Sequence, residues 1–125
     1  MSHFATIQTQ IKDIGALAIA CQEMGIRLIA NAAARGYGSN QIQADYIIRL
    51  PGPYDIALQK QQDDSYSMTT DWWGGHVAKV VGEKYGRLLQ LYGVHKAMLD
   101  AKGKGYRVQR TTGKNGTIRV SVSVP

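Results

Sequence analysis

Ile42-Gln43-Ala44-Asp45-Tyr46-Ile47-Ile48-Arg49-Leu50-Pro51-Gly52-Pro53-Tyr54-Asp55-Ile56-Ala57-Leu58 is the stretch that decides the fold. Ala44, Tyr46, Ile48 and Leu50 share one side of an extended chain while Gln43, Asp45, Ile47 and Arg49 share the other, the two-residue period of a strand. Pro51-Gly52-Pro53 must end that strand, because proline offers no N–H to a ladder and glycine permits a sharp turn. Tyr54, Ile56 and Leu58 then alternate again, Gln61 to Asp64 form a polar turn, and Tyr66, Met68 and Thr70 supply a further strand. Residues 41–70 therefore read as an antiparallel meander.

Working outward toward the N-terminus, Ser2 to Gln10 are rich in alternating and β-branched residues and predict a first strand. Asp13 is a natural N-cap for a helix in which Ile14, Leu17, Ala18, Cys21 and Met24 recur at helical spacing before the terminator Gly25. A second strand starts at Ile26 and runs into an irregular stretch, residues 33–40. Toward the C-terminus, Asp71-Trp72-Trp73-Gly74-Gly75 ends the meander. From His76 to Ala101 a stripe of Val77, Val80, Val81, Tyr85, Leu88, Leu91, Tyr92, His95, Met98 and Leu99 predicts one long amphipathic helix, despite Gly82, Gly86 and Gly93. Gly103 and Gly105 stop it, and Tyr106–Arg110 pairs with Thr117–Val124 as a hairpin across residues 112–116. The expected fold is α+β, one domain over residues 1–125. It has a mostly antiparallel sheet with two helices on one face, in the order β-α-β-β-β-β-α-β-β. Ile29 and Ile47 fall on otherwise polar strand faces, and with Val120, Val122 and Val124 they are expected to form a surface for a second copy of the chain.

At 125 residues, 44% apolar and 19% charged, the chain is long enough to enclose a core and does not have the composition of a disordered or collagenous protein. No apolar run approaches the roughly 18 residues needed to span a bilayer, and the first residues lack a secretory signal. The single cysteine, Cys21, has no partner for an internal disulfide, and the expected location is the cytoplasm. Residues 1–100 carry nine Lys or Arg and nine acids, so the net charge of +6 lies wholly in the last 25 residues. Lys102, Lys104, Arg107, Arg110, Lys114 and Arg119 stand there with no acid after Asp100. Such a positive end suits an anion or nucleic acid, or simply a solvated hairpin. Acids gather at Asp55, Asp63, Asp64 and Asp71.

Metal chemistry has no support in the spacing of His3, His76, His95 and Cys21. His95 and Cys21 sit on apolar helix faces, as satisfied core groups do. Arg35-Gly36-Tyr37-Gly38 is more suggestive, since closely spaced glycines let backbone N–H groups approach an anion that an arginine can grip. It is neither a Walker loop nor a dinucleotide fingerprint. Trp72 and Trp73 are adjacent on extended backbone, point in opposite directions, and cannot easily both be buried; one is a candidate stacking platform or partner anchor.

The opening Met1-Ser2-His3-Phe4-Ala5-Thr6-Ile7-Gln8-Thr9-Gln10-Ile11-Lys12-Asp13 resembles the start of a family of small proteins of unknown function. Its members occur in cyanobacteria, in algal plastid genomes as a hypothetical chloroplast open reading frame, and in other bacteria and phages. Arg35-Gly36-Tyr37, Ala44-Asp45-Tyr46-Ile47-Ile48-Arg49, Tyr54-Asp55-Ile56, Asp71-Trp72-Trp73-Gly74, the region of Tyr85 and Gly116-Thr117-Ile118-Arg119 are similar to that family's landmarks, in the same order. The resemblance implies a compact α+β protein, usually intracellular, and implies no reaction; no cofactor is expected.

The leading expectation is a non-enzymatic intracellular module for an anionic, phosphate-bearing small molecule or nucleotide, held by Arg35, Tyr37, Arg49 and Trp72 or Trp73. One alternative is a protein-interaction adaptor or oligomeric subunit that uses an exposed tryptophan. Another is nucleic-acid binding through Lys102, Lys104, Arg107, Arg110, Lys114 and Arg119. An enzyme with a site assembled from distant residues stays open; no membrane role is expected.

Overall fold

The computed structural model describes residues 4–125. Strand β1 (Phe4–Gln8) leads to helix α1 (Ile14–Met24), then to β2 (Arg27–Arg35), β3 (Gln41–Arg49), β4 (Ile56–Lys60) and β5 (Tyr66–Asp71). A short helix α2 (Ala78–Val81), a long helix α3 (Gly86–Gly103) and the strands β6 (Arg107–Thr112) and β7 (Ile118–Ser123) complete the chain. The expected beginning of the first strand at Ser2 lies outside the described residues. Five strands form one antiparallel sheet in the order β1-β5-β4-β3-β2, and β6-β7 is a separate two-stranded sheet. The α+β class, the element order and the meander are as the sequence predicts. Among the described residues no helix is long and apolar enough to cross a membrane.

Asp13 caps α1 as expected, its Oδ1 accepting the Ala16 N–H at 3.0 Å, and Gly25 closes the helix in the left-handed conformation. The helix buries Leu17, Ala20 and Cys21 against Leu88, Leu91 and Tyr92 of α3 and Ile48, Ile56, Leu58 and Met68 of the sheet. Each fully buried side chain of this size contributes about 1.5–3 kcal/mol. Tyr92 adds a polar tie, its hydroxyl accepting the N–H groups of Lys12 and Asp13 at 3.2 Å each. Burial pushes the Cys21 thiol up to about 12, so it packs as a small apolar group.

Two expectations about local structure are corrected. The helix expected from His76 starts at Gly86, because the chain breaks at Gly82, with φ 85° and ψ 163°. A Cβ there would lie 2.9 Å from the Arg87 nitrogen, and Lys84 and Tyr85 also adopt positive φ. Val77, Val81, Tyr85 and Leu88 are all buried as the stripe predicts, but by a broken path rather than one helix. The irregular loop expected over 33–40 is shorter, since Ala33, Ala34 and Arg35 continue β2.

That extension changes the second face of the sheet. Along the β2–β3 ladder every pair from Arg27↔Arg49 to Arg35↔Gln41 forms except at Asn31 and Asp45, where Asn31 has φ 51°. At the same level β3 leaves β4, whose backbone ladder with it ends at Tyr46↔Leu58. Side chains bridge the widening gap: Gln59 Nε2 donates to Gln43 O at 2.7 Å, and Asp45 Oδ2 accepts the Lys60 N–H at 2.8 Å. Beyond the bend the β2–β3 ribbon folds across the face away from the helices, where Ala34 and Ala44 pack on Ile47 and Ala57. Ile47 is therefore 0% exposed and supplies no surface for a second copy, contrary to the expectation from strand alternation. At the far end of the ribbon Gly36 lies against the Phe4 ring, where a Cβ would come 2.3 Å from Cζ.

The β6–β7 hairpin docks on the helices through Glu23 of α1. Arg110 Nη1 and Nη2 donate to Glu23 Oε1 and Oε2, both at 2.8 Å, and His95 Nε2 lies 2.7 Å from Oε1. The Arg110 contacts hold the Glu23 carboxyl down to about 2, with burial opposing and His95 assisting.

Two outcomes follow for stability. Gly36→Ala is expected to cost about 1–3 kcal/mol through the clash with Phe4, read as a fall in the urea midpoint. A Phe4→Ala, Gly36→Ala double variant is expected to recover part of that loss, and additive losses would contradict the packing. Because Glu23 titrates lower in the folded chain than its usual 4.5, its contribution is complete above that pH and is lost as pH falls toward about 2. The stability gap between wild type and Glu23→Gln, followed by thermal melts, is expected to close across that window and to stay constant above it.

Candidate binding site

Asp55 closes the β3–β4 return with a carboxylate that is 0% exposed. The Pro51-Gly52-Pro53 turn delivers it beneath the end of the folded-back ribbon. Its Oδ2 accepts the Arg35 backbone N–H and Arg35 Nε, each at 2.9 Å, and its Oδ1 accepts Arg35 Nη2 at 2.8 Å and the Leu50 N–H at 3.2 Å. The Asp55 N–H in turn donates to Arg35 O at 3.0 Å, and the Thr70 hydroxyl donates to Asp55 O at 2.7 Å. Every polar atom of this buried residue has a partner. Burial pushes the Asp55 carboxyl up, but the Arg35 side chain and the N–H groups of Arg35 and Leu50 outweigh it and hold the group below the usual carboxylate range.

Arg35 is correspondingly committed. Besides the fork on Asp55, its Nη2 reaches Leu50 O and Gly52 O at 3.0 Å each, which leaves Nη1 without a hydrogen-bond partner among the described residues. Arg49 points at the same carboxylate, with Nε 3.8 Å from Oδ2. Arg27 stands directly opposite Arg49 on the ladder and is exposed. Two guanidinium groups, Arg35 and Arg49, thus share one carboxylate, and Arg27 stands across the strand pair from Arg49, where like charges repel. The pair Arg27–Arg49 is the local cationic excess of this end of the sheet.

A second buried carboxylate, Asp71, joins the ribbon tip to the turn after β5. Its Oδ2 accepts the Tyr37 N–H at 3.3 Å and its Oδ1 accepts the Trp73 N–H at 3.0 Å. Tyr37 and Trp73 are thereby brought edge to face, with centroids 5.7 Å apart, while 46% and 50% exposed. Behind them Tyr54 meets His76 at 5.6 Å, and Gly52 and Gly74 lie close against the His76 ring. Burial raises the Tyr54 hydroxyl pKa, and Asp71 and Tyr37 add to it.

Of the residues expected to form a ligand site, Arg35 of β2 and Arg49 of β3 meet at Asp55, and Tyr37 of the β2–β3 loop and Trp73 of the turn after β5 meet at Asp71. Trp72 does not join them. It packs on Tyr85 at 4.7 Å instead, and the two tryptophans diverge at the start of a helical turn, Trp72 having φ −85° and ψ 0°, rather than on the extended backbone expected. Asp55, Asp71, Tyr54, His76 and Arg27 were not among the expected site residues. Asp55 carried a visible signal, an acid between Tyr54 and Ile56 where the chain alternates toward the core. The expected basic group is also divided: Arg110 turns inward to Glu23, while Lys102, Lys104, Arg107, Lys114 and Arg119 are exposed. Among the described residues no cluster of three His, Cys, Asp or Glu could hold a metal ion.

The fold defines a small α+β protein that carries an exposed aromatic pair, Tyr37 and Trp73, and two arginines on the buried Asp55. The chain belongs to the family described as Protein of unknown function (DUF1257), whose model matches residues 20–121. An uncharacterised family is what the sequence resemblance implied, although its most specific stretch, residues 1–13, lies outside the match. Comparison with curated proteins and with solved structures finds no match in either.

Asp55→Ala removes the acceptor of four N–H groups and is expected to cost about 3 kcal/mol, the low end for breaking a buried pair, because Arg35 can turn to water. A cost below about 1 kcal/mol by urea denaturation would show that the pair does not anchor the ribbon.

Proposed function

We propose that this protein is a non-enzymatic binding module whose ligand is planar and phosphate-bearing, of the nucleotide class. The observation that carries this is the pair of exposed aromatic rings, Tyr37 and Trp73, with Tyr37 two residues along the chain from Arg35, which shares Asp55 with Arg49, so that two positive charges face one negative. An exposed ring stacks a base at about 1–3 kcal/mol, and a guanidinium grips phosphate by paired hydrogen bonds. In this assignment Arg35 is chiefly a scaffold, with Nη1 free to donate, and Arg49 and Arg27 carry the phosphate. Asp71 fixes the aromatic pair by its backbone before any ligand arrives, which lowers the ordering cost of binding.

A protein partner is the second reading, favoured by the exposure of Tyr37 and Trp73 beside arginines, the residue types enriched at interface hot spots. Titration of isotope-labelled protein with AMP, ATP and inorganic pyrophosphate, followed by NMR, separates the two. The nucleotide reading predicts saturable shifts at the Trp73 indole, Tyr37 and Arg49 that weaken as salt rises and vanish in Trp73→Ala and Arg49→Ala. No shift at these residues with millimolar nucleotide would contradict it and leave the partner reading.

A further inference from the structure

The β6–β7 hairpin is independent of the main sheet, so its basic residues do not serve to blunt an edge of that sheet. Its register sorts its side chains into two rows. Val108, Arg110, Ile118 and Val120 are half-buried toward the helices, with Arg110 bound to Glu23. The outer row pairs Arg107↔Ser123, Gln109↔Ser121 and Thr111↔Arg119, and all six residues are exposed. Lys114 stands at the tip and Lys102 and Lys104 at the base, where the Tyr106 N–H returns to Ala101 O. No acid occurs after Asp100, and none of these five outer cations has an ion-pair or hydrogen-bond partner among the described residues.

Soluble surfaces ordinarily intersperse both signs of charge, and a one-sign face is the exception that suits a polyanion. The rest of the outer row is equally specific in kind. Arginine, glutamine, threonine and serine are the side chains that donate to or accept from base edges, and arginine and glutamine can do so in bidentate fashion. A two-stranded ribbon fits the B-DNA major groove, which is about 12 Å wide. Alternate residues on one strand face are roughly 6.6 Å apart, close to two base-pair rises of about 3.4 Å. The tip is rigid enough to enter a groove: Gly113 N–H donates to Thr117 O at 2.7 Å, and Asn115 Oδ1 accepts the Thr117 N–H and hydroxyl. The Glu23 clamp fixes the ribbon on α1 from behind.

We propose that the outer face of the β6–β7 hairpin is a duplex-DNA-binding ribbon that enters the major groove. Arg107, Gln109, Thr111 and Arg119 face the bases, and Lys102, Lys104 and Lys114 contact flanking phosphates. This surface is separate from the Tyr37–Trp73 site and does not rest on the function proposed for it.

The test is fluorescence anisotropy of the full chain with a labelled, mixed-sequence DNA duplex of about 20 base pairs, from 50 to 200 mM salt. Saturable binding is expected at 50 mM salt, with log K falling against log salt at a slope of about −3, as for roughly three phosphate contacts. Arg107→Ala with Arg119→Ala is expected to weaken binding at least tenfold, and Lys114→Ala to reduce the slope by about one. Because these side chains are exposed and make no ion pair or side-chain hydrogen bond among the described residues, the variants should melt as wild type does, so that any lost binding reports on the surface alone. An RNA duplex of the same sequence is expected to bind at least tenfold more weakly, since its major groove is deep and narrow. No binding of DNA at 50 mM salt, no effect of the paired arginine variant, or equal binding of RNA or heparin would each overturn the proposal.

Discussion

One buried carboxylate sets the shape of the sheet's second face. Asp55 takes four N–H groups from Arg35 and Leu50, and through them it pins the end of a nine-residue strand back over the sheet it came from. The other ties on the ribbon are single hydrogen bonds, from Tyr37 to Asp71, Gln59 to Gln43 and Lys60 to Asp45, and the buried groups it covers are small, Ala34 and Ala44 on Ile47 and Ala57. Apolar burial on this side is slight beside the helix-facing core, so a polar interaction has to supply the specificity. Its strength comes from complete satisfaction, since a half-paired carboxylate at this depth would cost more than it contributes.

The same fold-back creates the candidate site. Carrying the ribbon tip across the sheet brings Gly36 against Phe4 and Tyr37 within reach of Asp71, and Asp71 holds Trp73 from the other side. Two buried acids thus present two arginines and two aromatic rings from four separate segments. The charge distribution of the molecule follows the same logic. Asp55 and Asp71 are spent internally, so these acids do not give the protein an exposed acidic end to oppose its basic hairpin.

Much of this was legible in the alternation of residues 42–70, which fixes strand positions and the turn at Pro51-Gly52-Pro53 whatever the strands later pack against. Capping by Asp13 and Gly25 was equally local and equally readable. The bend was not, because Asn31 in positive φ lies in a strand of ordinary propensity, and only the failure of the Asn31–Asp45 pair reveals it. For the same reason Ile47 looked like surface: alternation tells which face a residue takes, not what later covers that face. The stripe from Val77 to Leu88 showed what is buried, but the glycine at 82 weighed more than the period and split the helix. At the site, Arg35, Tyr37, Arg49 and Trp73 were visible as residue types, whereas the role of Arg35 depends on Asp55, twenty residues along the chain and joined to it by the fold.

Native-state amide hydrogen exchange tests the central claim most directly, because the Arg35, Leu50 and Asp55 N–H groups are the ones committed to the anchor. If the anchor holds the ribbon, these three exchange only through global unfolding, as slowly as the amides of β4 and β5, while Gly38 and Ser39 at the tip exchange freely. Exchange of Arg35 and Asp55 at the rate of the tip would show a ribbon that opens on its own, and the second face and the site built on it would lose their foundation.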